Sequence, residues 1–340
     1  MIAAGRRAIT QDMERRIFIA GSAAALALAH PLRAAGPGPA LDAAAGFDEL
    51  RAIVMLKNGI ETAARGYNGF TPDRATNIKS ASKSIISGLV GMAIDRGLLE
   101  GPDQPIAPLL RDQLPRDPDP RIERVTIGHL LSMQAGLERT SGRNYGRWVS
   151  SGNWVRAALS VPFVDEPGGG MLYSTGSSHI LAAILTRVGG RSLLALARDW
   201  LAPLDGFEIT GWDRDPQGIY MGGNQMAMST RSLAAWGALY ERGGVTADGT
   251  RLLSQAWIDA TWTRRTRSVF HRDGYGYGWF SRQMGGAETW YGWGYGGQML
   301  YVTPARGTVI AITSDPDRPS ARTGYRDALH GLAEQLLTEA

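Results

Sequence analysis

Lys79-Ser80-Ala81-Ser82-Lys83-Ser84-Ile85-Ile86 is the stretch of this 340-residue sequence in which fold and chemistry are read together. Ile85, Ile86, Leu89, Val90, Met92 and Ala93 recur as a broad apolar stripe, which predicts a helix over Ser80–Leu99. In the first turn of such a helix, positions i and i+3 share a face, so the Lys83 amine can reach the Ser80 hydroxyl. A neutral lysine there can take the serine proton, and the positive end of the helix favours the negative charge that develops. Of 36 basic residues only Lys57, Lys79 and Lys83 are lysines; the others are arginine. Arginine cannot give up its proton, so a lysine counts most where an ammonium must become an amine. A serine three residues before a lysine is still a weak signal alone, and the surrounding chain has to support it.

Upstream, Arg51–Lys57, Asn58-Gly59 and the residues from Ile60 onward read as strand, tight turn and strand, because Asn-Gly supplies the positive φ angles of a hairpin. Downstream, Gly101–Val125 is rich in proline and charge and reads as irregular connection. Helices are predicted at Thr126–Met133, Trp154–Leu159, Ser178–Val188 and Ser192–Leu201, with a short extended piece at Met171–Ser174. Thr230–Glu241, Ser254–Thr263 and Tyr325–Thr338 also read as helices. Tyr275–Arg282, Glu288–Trp293, Gln298–Thr303 and Thr308–Thr313 read as strands. Strands near both ends, with helices between, predict an α/β (α+β) fold. One antiparallel sheet assembled from about 44–100 and 205–340 would be flanked by helices, with a mainly helical insertion over about 101–204.

Composition excludes several classes. With 44% hydrophobic and 20% charged residues the chain is ordinarily globular, and its 44 glycines follow no G-X-Y period. There is no cysteine, so disulfides, zinc ribbons, iron–sulfur clusters and thiol nucleophiles are all excluded. The net charge of +4 resides mostly in the first 35 residues, which hold five arginines against Asp12 and Glu14. Without them, the 36 basic and 32 acidic residues become 31 and 30, which gives no support for nucleic-acid binding.

The same segment reads as an export leader. Arg15-Arg16-Ile17-Phe18-Ile19 is followed by a short alanine- and leucine-rich run and by small residues at Ala34 and Ala35, a twin-arginine-type signal over 1–35. Met1 and Met13 are both possible starts. The protein is therefore expected to be periplasmic or secreted, with no stable membrane span after the signal is removed.

Besides the leader and the Ser80–Lys83 stretch, two places draw attention. Tyr173, within Tyr173-Ser174-Thr175 and after the glycines at 168–170, is a tyrosine that beside a lysine can act as phenolate or proton relay. Gly292-Trp293-Gly294-Tyr295-Gly296-Gly297 matches G-x-G-x-x-G literally but leads into a strand, so it is not a dinucleotide fingerprint. Glycines at a sheet edge instead let a substrate approach the backbone, where an N–H can donate to an oxyanion. Other chemistries are missing their signatures. There is no G-x-S-x-G and no P-loop, and the five histidines show no metal-ligand spacing. His129 reads as structural, and Glu166, running into Pro167-Gly168, as part of a turn.

Taken together, these segments resemble the serine β-lactamase and penicillin-binding-protein superfamily, nearest its class C-related branch of carboxylesterases and 6-aminohexanoate-dimer hydrolases. The resemblance runs from about Ile53 to Ser314. It is carried by Met55–Gly59, Ser80-Ala-Ser-Lys83, Val125–Leu131, Pro167-Gly168 with Tyr173-Ser174, Met228–Arg231 and Gly294–Pro304. It implies Ser80 as the acylated nucleophile, Lys83 as its base and Tyr173 as the proton relay. The backbone N–H groups of Ser80 and Tyr295 would form the oxyanion hole. Trp293, Gly294, Tyr145, Asn224 and Thr175 are the candidate substrate-binding residues, and no metal or cofactor is implied. Many relatives carry Asn where this chain has Thr175. The β-lactamases and peptidases carry Lys-Thr-Gly, or His-x-Gly, where it has Trp293-Gly294-Tyr295. The missing cation argues against gripping a substrate carboxylate and favours a neutral or apolar acyl group. The expected activity is ester or amide hydrolysis of a small molecule. The alternatives are a linear-amide (aminohexanoate-oligomer) hydrolase, a weak β-lactamase, and a catalytically silent penicillin-binding-like protein.

Overall fold

The structure, a computed structural model, describes residues 38–269 and 271–339; the expected leader over 1–35 lies outside them. Strands β1 (Leu50–Lys57) and β2 (Ile60–Gly66) form the expected hairpin. β3 (Thr76–Asn77), β4 (Gly211–Trp212) and β5 (Met226–Met228) make a small sheet that the sequence did not announce. β6 (Thr266–Arg267), β7 (Gly274–Tyr275), β8 (Phe280–Met284), β9 (Ala287–Gly294), β10 (Gln298–Thr303) and β11 (Thr308–Ser314) follow. The main sheet is antiparallel throughout, with order β2-β1-β11-β10-β9-β8-β7-β6, so its first and last strands in sequence are neighbours. The helices are α1 (Gly38–Ala43), α2 (Lys83–Asp95), α3 (Ile127–Leu131), α4 (Tyr145–Val149), α5 (Trp154–Leu159), α6 (Thr175–Gly189), α7 (Leu193–Trp200), α8 (Thr230–Glu241), α9 (Gln255–Thr261) and α10 (Tyr325–Glu339).

Side chains of successive strand residues point to opposite faces, and the sheet core follows that alternation. Val54, Leu56, Leu300, Val302, Val309 and Ala311 join a core with Leu233, Trp236 and Leu239 of α8 and with α2. Their neighbours Ile53, Met55, Met299, Tyr301, Ile310 and Ile312 join a second core with Leu329, Leu332 and Leu336 of α10 and with Leu41 of α1. Each fully buried side chain of this kind is worth about 1.5–3 kcal/mol of transfer free energy, so both sheet faces demand a helical cover. The helix α2 is buried from Lys83 to Ala93, all round rather than along one stripe, because α6 packs beside it as well.

Several expectations are corrected. Ser80 does not sit in regular α-helix: a 3-10 turn, Lys79–Ser82, precedes α2, and the helix stops at Asp95, before Gly97 at φ 69°. The single strand expected over Tyr275–Arg282 is a hairpin of β7 and β8. Gly278 at φ 81° turns the chain there, and the Gly276 N–H donates to the Trp279 carbonyl at 2.9 Å. Met171–Ser174 is extended at Ser174 but joins no sheet, and α6 begins at Thr175, three residues earlier than its apolar pattern suggests.

Candidate active site

The site is built on the turn that carries Ser80. Lys79 is held at φ 50°, a left-handed conformation that is costly for a residue with a Cβ and persists only when its surroundings fix it. They do. The Asn77 side-chain oxygen accepts the Lys79 N–H at 2.9 Å, and the Ser82 hydroxyl donates to the Lys79 carbonyl at 2.7 Å. Gln225 Oε1 accepts from Asn77 Nδ2 at 2.8 Å and from Lys79 Nζ at 3.4 Å. On the other side β9 runs so close that a Cβ at Gly294 would collide with the Ile78 carbonyl. The serine is thus presented between a loop and a sheet edge.

Lys83 lies one turn further on, only 3% exposed. Its Nζ is 2.9 Å from Ser80 Oγ, 2.7 Å from the Gly223 carbonyl and 3.4 Å from Thr175 Oγ1. It also stands 5.1 Å from the centre of the Tyr173 ring. The carbonyl and the ring face favour an ammonium, but burial outweighs them and brings the Lys83 pKa down to about 7. As an ammonium Lys83 donates to all three oxygens; once neutral, with its two N–H groups kept on Gly223 and Thr175, its lone pair is left for the Ser80 hydroxyl.

Tyr173 precedes α6 on a loop pinned to the segment after α3, where the Gly168 N–H donates to the Gln134 carbonyl and the Leu172 N–H to the Met133 carbonyl, both at 2.8 Å. Its ring stacks on Phe280 at 5.8 Å and meets the edge of Tyr275 at 6.2 Å. Its hydroxyl lies close enough to the Ser80 side chain to interact with it, while burial pushes its pKa well above the ordinary range, so it is a phenol and not a phenolate at neutral pH. Ser80, Lys83 and Tyr173 therefore converge, and Thr175 joins them.

The remaining candidates divide. Asn224 Nδ2 donates to the Tyr145 hydroxyl at 3.0 Å, and Tyr145 lines a cleft of about 520 Å³ with Trp154, Met221, Asp213 and Gln225. Trp293 lies further off. Phe280 bridges it to Tyr173, with the Phe280 and Trp293 ring centres 6.3 Å apart, while the Arg326 guanidinium sits 5.4 Å from the Trp293 ring centre and Ser320 Oγ lies 3.4 Å from its Nε1. Tyr295 occupies the β9–β10 turn, half exposed at 50%. His129 and Glu166 are structural. His129 caps α3 through Thr126, and Glu166 pairs with Arg124 at 2.7 Å.

The profile of the β-lactamase family matches residues 47–335 of this sequence. The chain belongs to the β-lactamase family. A 6-aminohexanoate-dimer hydrolase from Paenarthrobacter ureafaciens is 26% identical over 314 residues, covering 84% of this chain and 76% of that protein. Among solved structures, the octameric penicillin-binding protein homologue of Pyrococcus abyssi superposes with a TM-score of 0.66 at 18% identity, over 83% of this chain and 74% of that one. EstCE1, a hydrolase with promiscuous acyltransferase activity, superposes with a TM-score of 0.66 at 16% identity, over 86% and 94%. The antiparallel sheet flanked by helices is the fold of these structural neighbours, and the two relatives named by activity are hydrolases.

Within this β-lactamase-family site, two groups escaped the sequence reading. Ser141 Oγ accepts the Thr175 N–H at 2.8 Å and lies 3.0 Å from Thr175 Oγ1, so it fixes the hydroxyl that faces Lys83. Gly223 acts through its carbonyl, which no side-chain pattern advertises. The adjacent Thr140-Ser141 and Ser174-Thr175 pairs, whose hydroxyls interlock, were the only available signal for Ser141. Among the described residues no group of three or more His, Asp or Glu is placed to hold a metal ion, and no single helix is long and apolar enough to cross a membrane.

Proposed function

We propose that this protein is an exported hydrolase of small neutral esters or amides that works through an acyl-enzyme on Ser80. The observation that carries the proposal is the Lys83 amine, buried, with its pKa brought down to about 7, and 2.9 Å from Ser80 Oγ. Lys83 takes the Ser80 proton as Oγ bonds to the substrate carbonyl carbon. The N–H groups of Ser80 and Tyr295 receive the oxyanion. As the carbonyl–leaving-group bond breaks, Tyr173 hands its proton to the departing oxygen or nitrogen and is reprotonated by the Lys83 ammonium. Water then attacks the acyl carbon, giving its proton to the same relay, and the acid leaves with Ser80 restored.

Trp293 and Gly294 would border the acyl group, and Tyr145, Asn224 and Thr175 the opposite wall. Trp293-Gly294-Tyr295 places no cation on the strand itself, which favours a neutral acyl group over a carboxylate-bearing β-lactam. The 26% identical aminohexanoate-dimer hydrolase favours a linear amide as the second reading. Hydrolysis of p-nitrophenyl butyrate, a matched anilide, an aminohexanoate dimer and a β-lactam, each with the protein and its Ser80→Ala variant, tests both readings. Ester turnover lost in the variant supports the first, and faster amide turnover replaces it with the second. Equal rates in both proteins would refute Ser80 chemistry. The leader supports export. Replacing both Arg15 and Arg16 by lysine should then retain the protein in the cytoplasm, and unchanged fractionation would contradict the twin-arginine route.

A further inference from the structure

The carbonyl that holds Lys83 belongs to a loop, and the loop is tied down by a buried histidine–aspartate pair that the chemistry above does not use. We propose that His179 and Asp215 are positioning residues for acylation: they clamp Gly222-Gly223 so that the Gly223 carbonyl fixes the direction of the Lys83 lone pair. This rests on the Ser80–Lys83 reading.

His179 lies on α6, four residues after Thr175. Its Nε2 is 3.0 Å from Asp215 Oδ2, and both side chains are fully buried. Its Nδ1 lies 3.2 Å from the Gly222 nitrogen and accepts that N–H. An accepting Nδ1 places the ring proton on Nε2, which donates to the aspartate, so both nitrogens are committed. Asp215 is committed as well, since its Oδ1 accepts the N–H groups of Gln217 and Ile219 at 2.8 Å each. The edges of Trp148 and Trp154 close the ring in, with centroids 5.8 and 5.7 Å away.

The clamped segment has no slack. A Cβ at Gly222 would collide with the Ser178 carbonyl, and one at Gly223, where φ is 74°, with Lys83 Cγ. Backbone therefore rests directly on α6 and on the lysine stem. A site needing only bulk would be served as well by apolar side chains, because burying a carboxylate is expensive unless every partner is in place. The chain from Asp215 through His179 and the Gly222 N–H to the Gly223 carbonyl ends 2.7 Å from Lys83 Nζ. If that carbonyl drifts, the amine can rotate an N–H toward Ser80 in place of its lone pair, and substrate binding is untouched while proton removal is lost.

Two substitutions of one residue separate the contacts. The amide of His179→Asn stands near the former Nδ1 and can still accept the Gly222 N–H. That of His179→Gln stands near the former Nε2 and faces Asp215 instead. Positioning predicts that His179→Gln lowers kcat by about tenfold or more with KM within about twofold, and that His179→Asn recovers most of the loss. If neither histidine variant folds, Asp215→Asn is judged by the same split between kcat and KM. Wild-type kcat in His179→Gln, equal loss in both histidine variants, or activity that merely tracks the folded fraction by circular dichroism would overturn the proposal. Ser80→Ala is assayed alongside. Activity surviving there refutes the underlying reading, whereas an inert Ser80→Ala beside an unimpaired His179→Gln refutes the positioning alone.

Discussion

The two flanks of Ser80 are made differently. Toward Lys83, the amine, Thr175 and Gly223 are buried and polar directions are assigned: the amine meets Gly223, Thr175 and the half-buried Ser80, and Ser141 holds Thr175 in turn. Toward β9, glycines bring bare backbone against the serine turn, Trp293 is half-buried, and Tyr295 is half exposed. The first flank can set a pKa and a proton's direction, which requires exclusion of water. The second offers surface and backbone, which is what recognition of a neutral group requires. Rate and selectivity should accordingly respond to different substitutions.

The largest effect should come from the buried flank. Lys83→Met keeps the length of the side chain and removes the proposed base, so kcat should fall by about 10²–10⁴-fold while circular dichroism stays native. A loss below tenfold would move the base elsewhere. Next comes pH. The proposed mechanism requires neutral Lys83, so kcat/KM should fall about tenfold for each unit below about 7. Tyr173, held as a phenol by burial, should cause no alkaline fall through pH 9. Stability carries the same signature. The folded lysine loses its proton near 7 and the unfolded one near its ordinary 10.5, so between those values the unfolded chain binds more protons. Stability contributed by this group is therefore lowest below pH 7 and rises with pH through that window. A pH-rate profile flat from 6 to 8 would break the assignment. The smallest effect belongs to the open flank: Trp293→Ala should raise KM for butyrate esters by about three- to tenfold with kcat nearly unchanged, as lost apolar contact does. A fall confined to kcat would erase the distinction between the flanks.

What the sequence disclosed follows the same division. The alternation in Gln298–Thr303 and Thr308–Ser314 is dictated by two buried sheet faces, so those strands could be read directly. Ser80 and Lys83 could be read because their chemistry lies in side chains at a fixed spacing. Over Tyr275–Arg282 the apolar residues continue across a turn that only Gly276 and Gly278 betray, so the pattern reads as one strand where two are found. Gly223 contributes a carbonyl and His179 a contact to Asp215, 36 residues away, neither of which leaves a local pattern. Trp293 is a substrate-binding candidate only through the resemblance, and its actual partners, Phe280 on the adjoining strand β8 and Arg326 on α10, leave no local pattern around it.

The most direct test of the account is to quench turnover of p-nitrophenyl butyrate in acid and weigh the peptide that contains Ser80. The account predicts a butyryl adduct on Ser80, absent from Ser80→Ala together with the turnover. An adduct on another residue, or full turnover by Ser80→Ala, would contradict it.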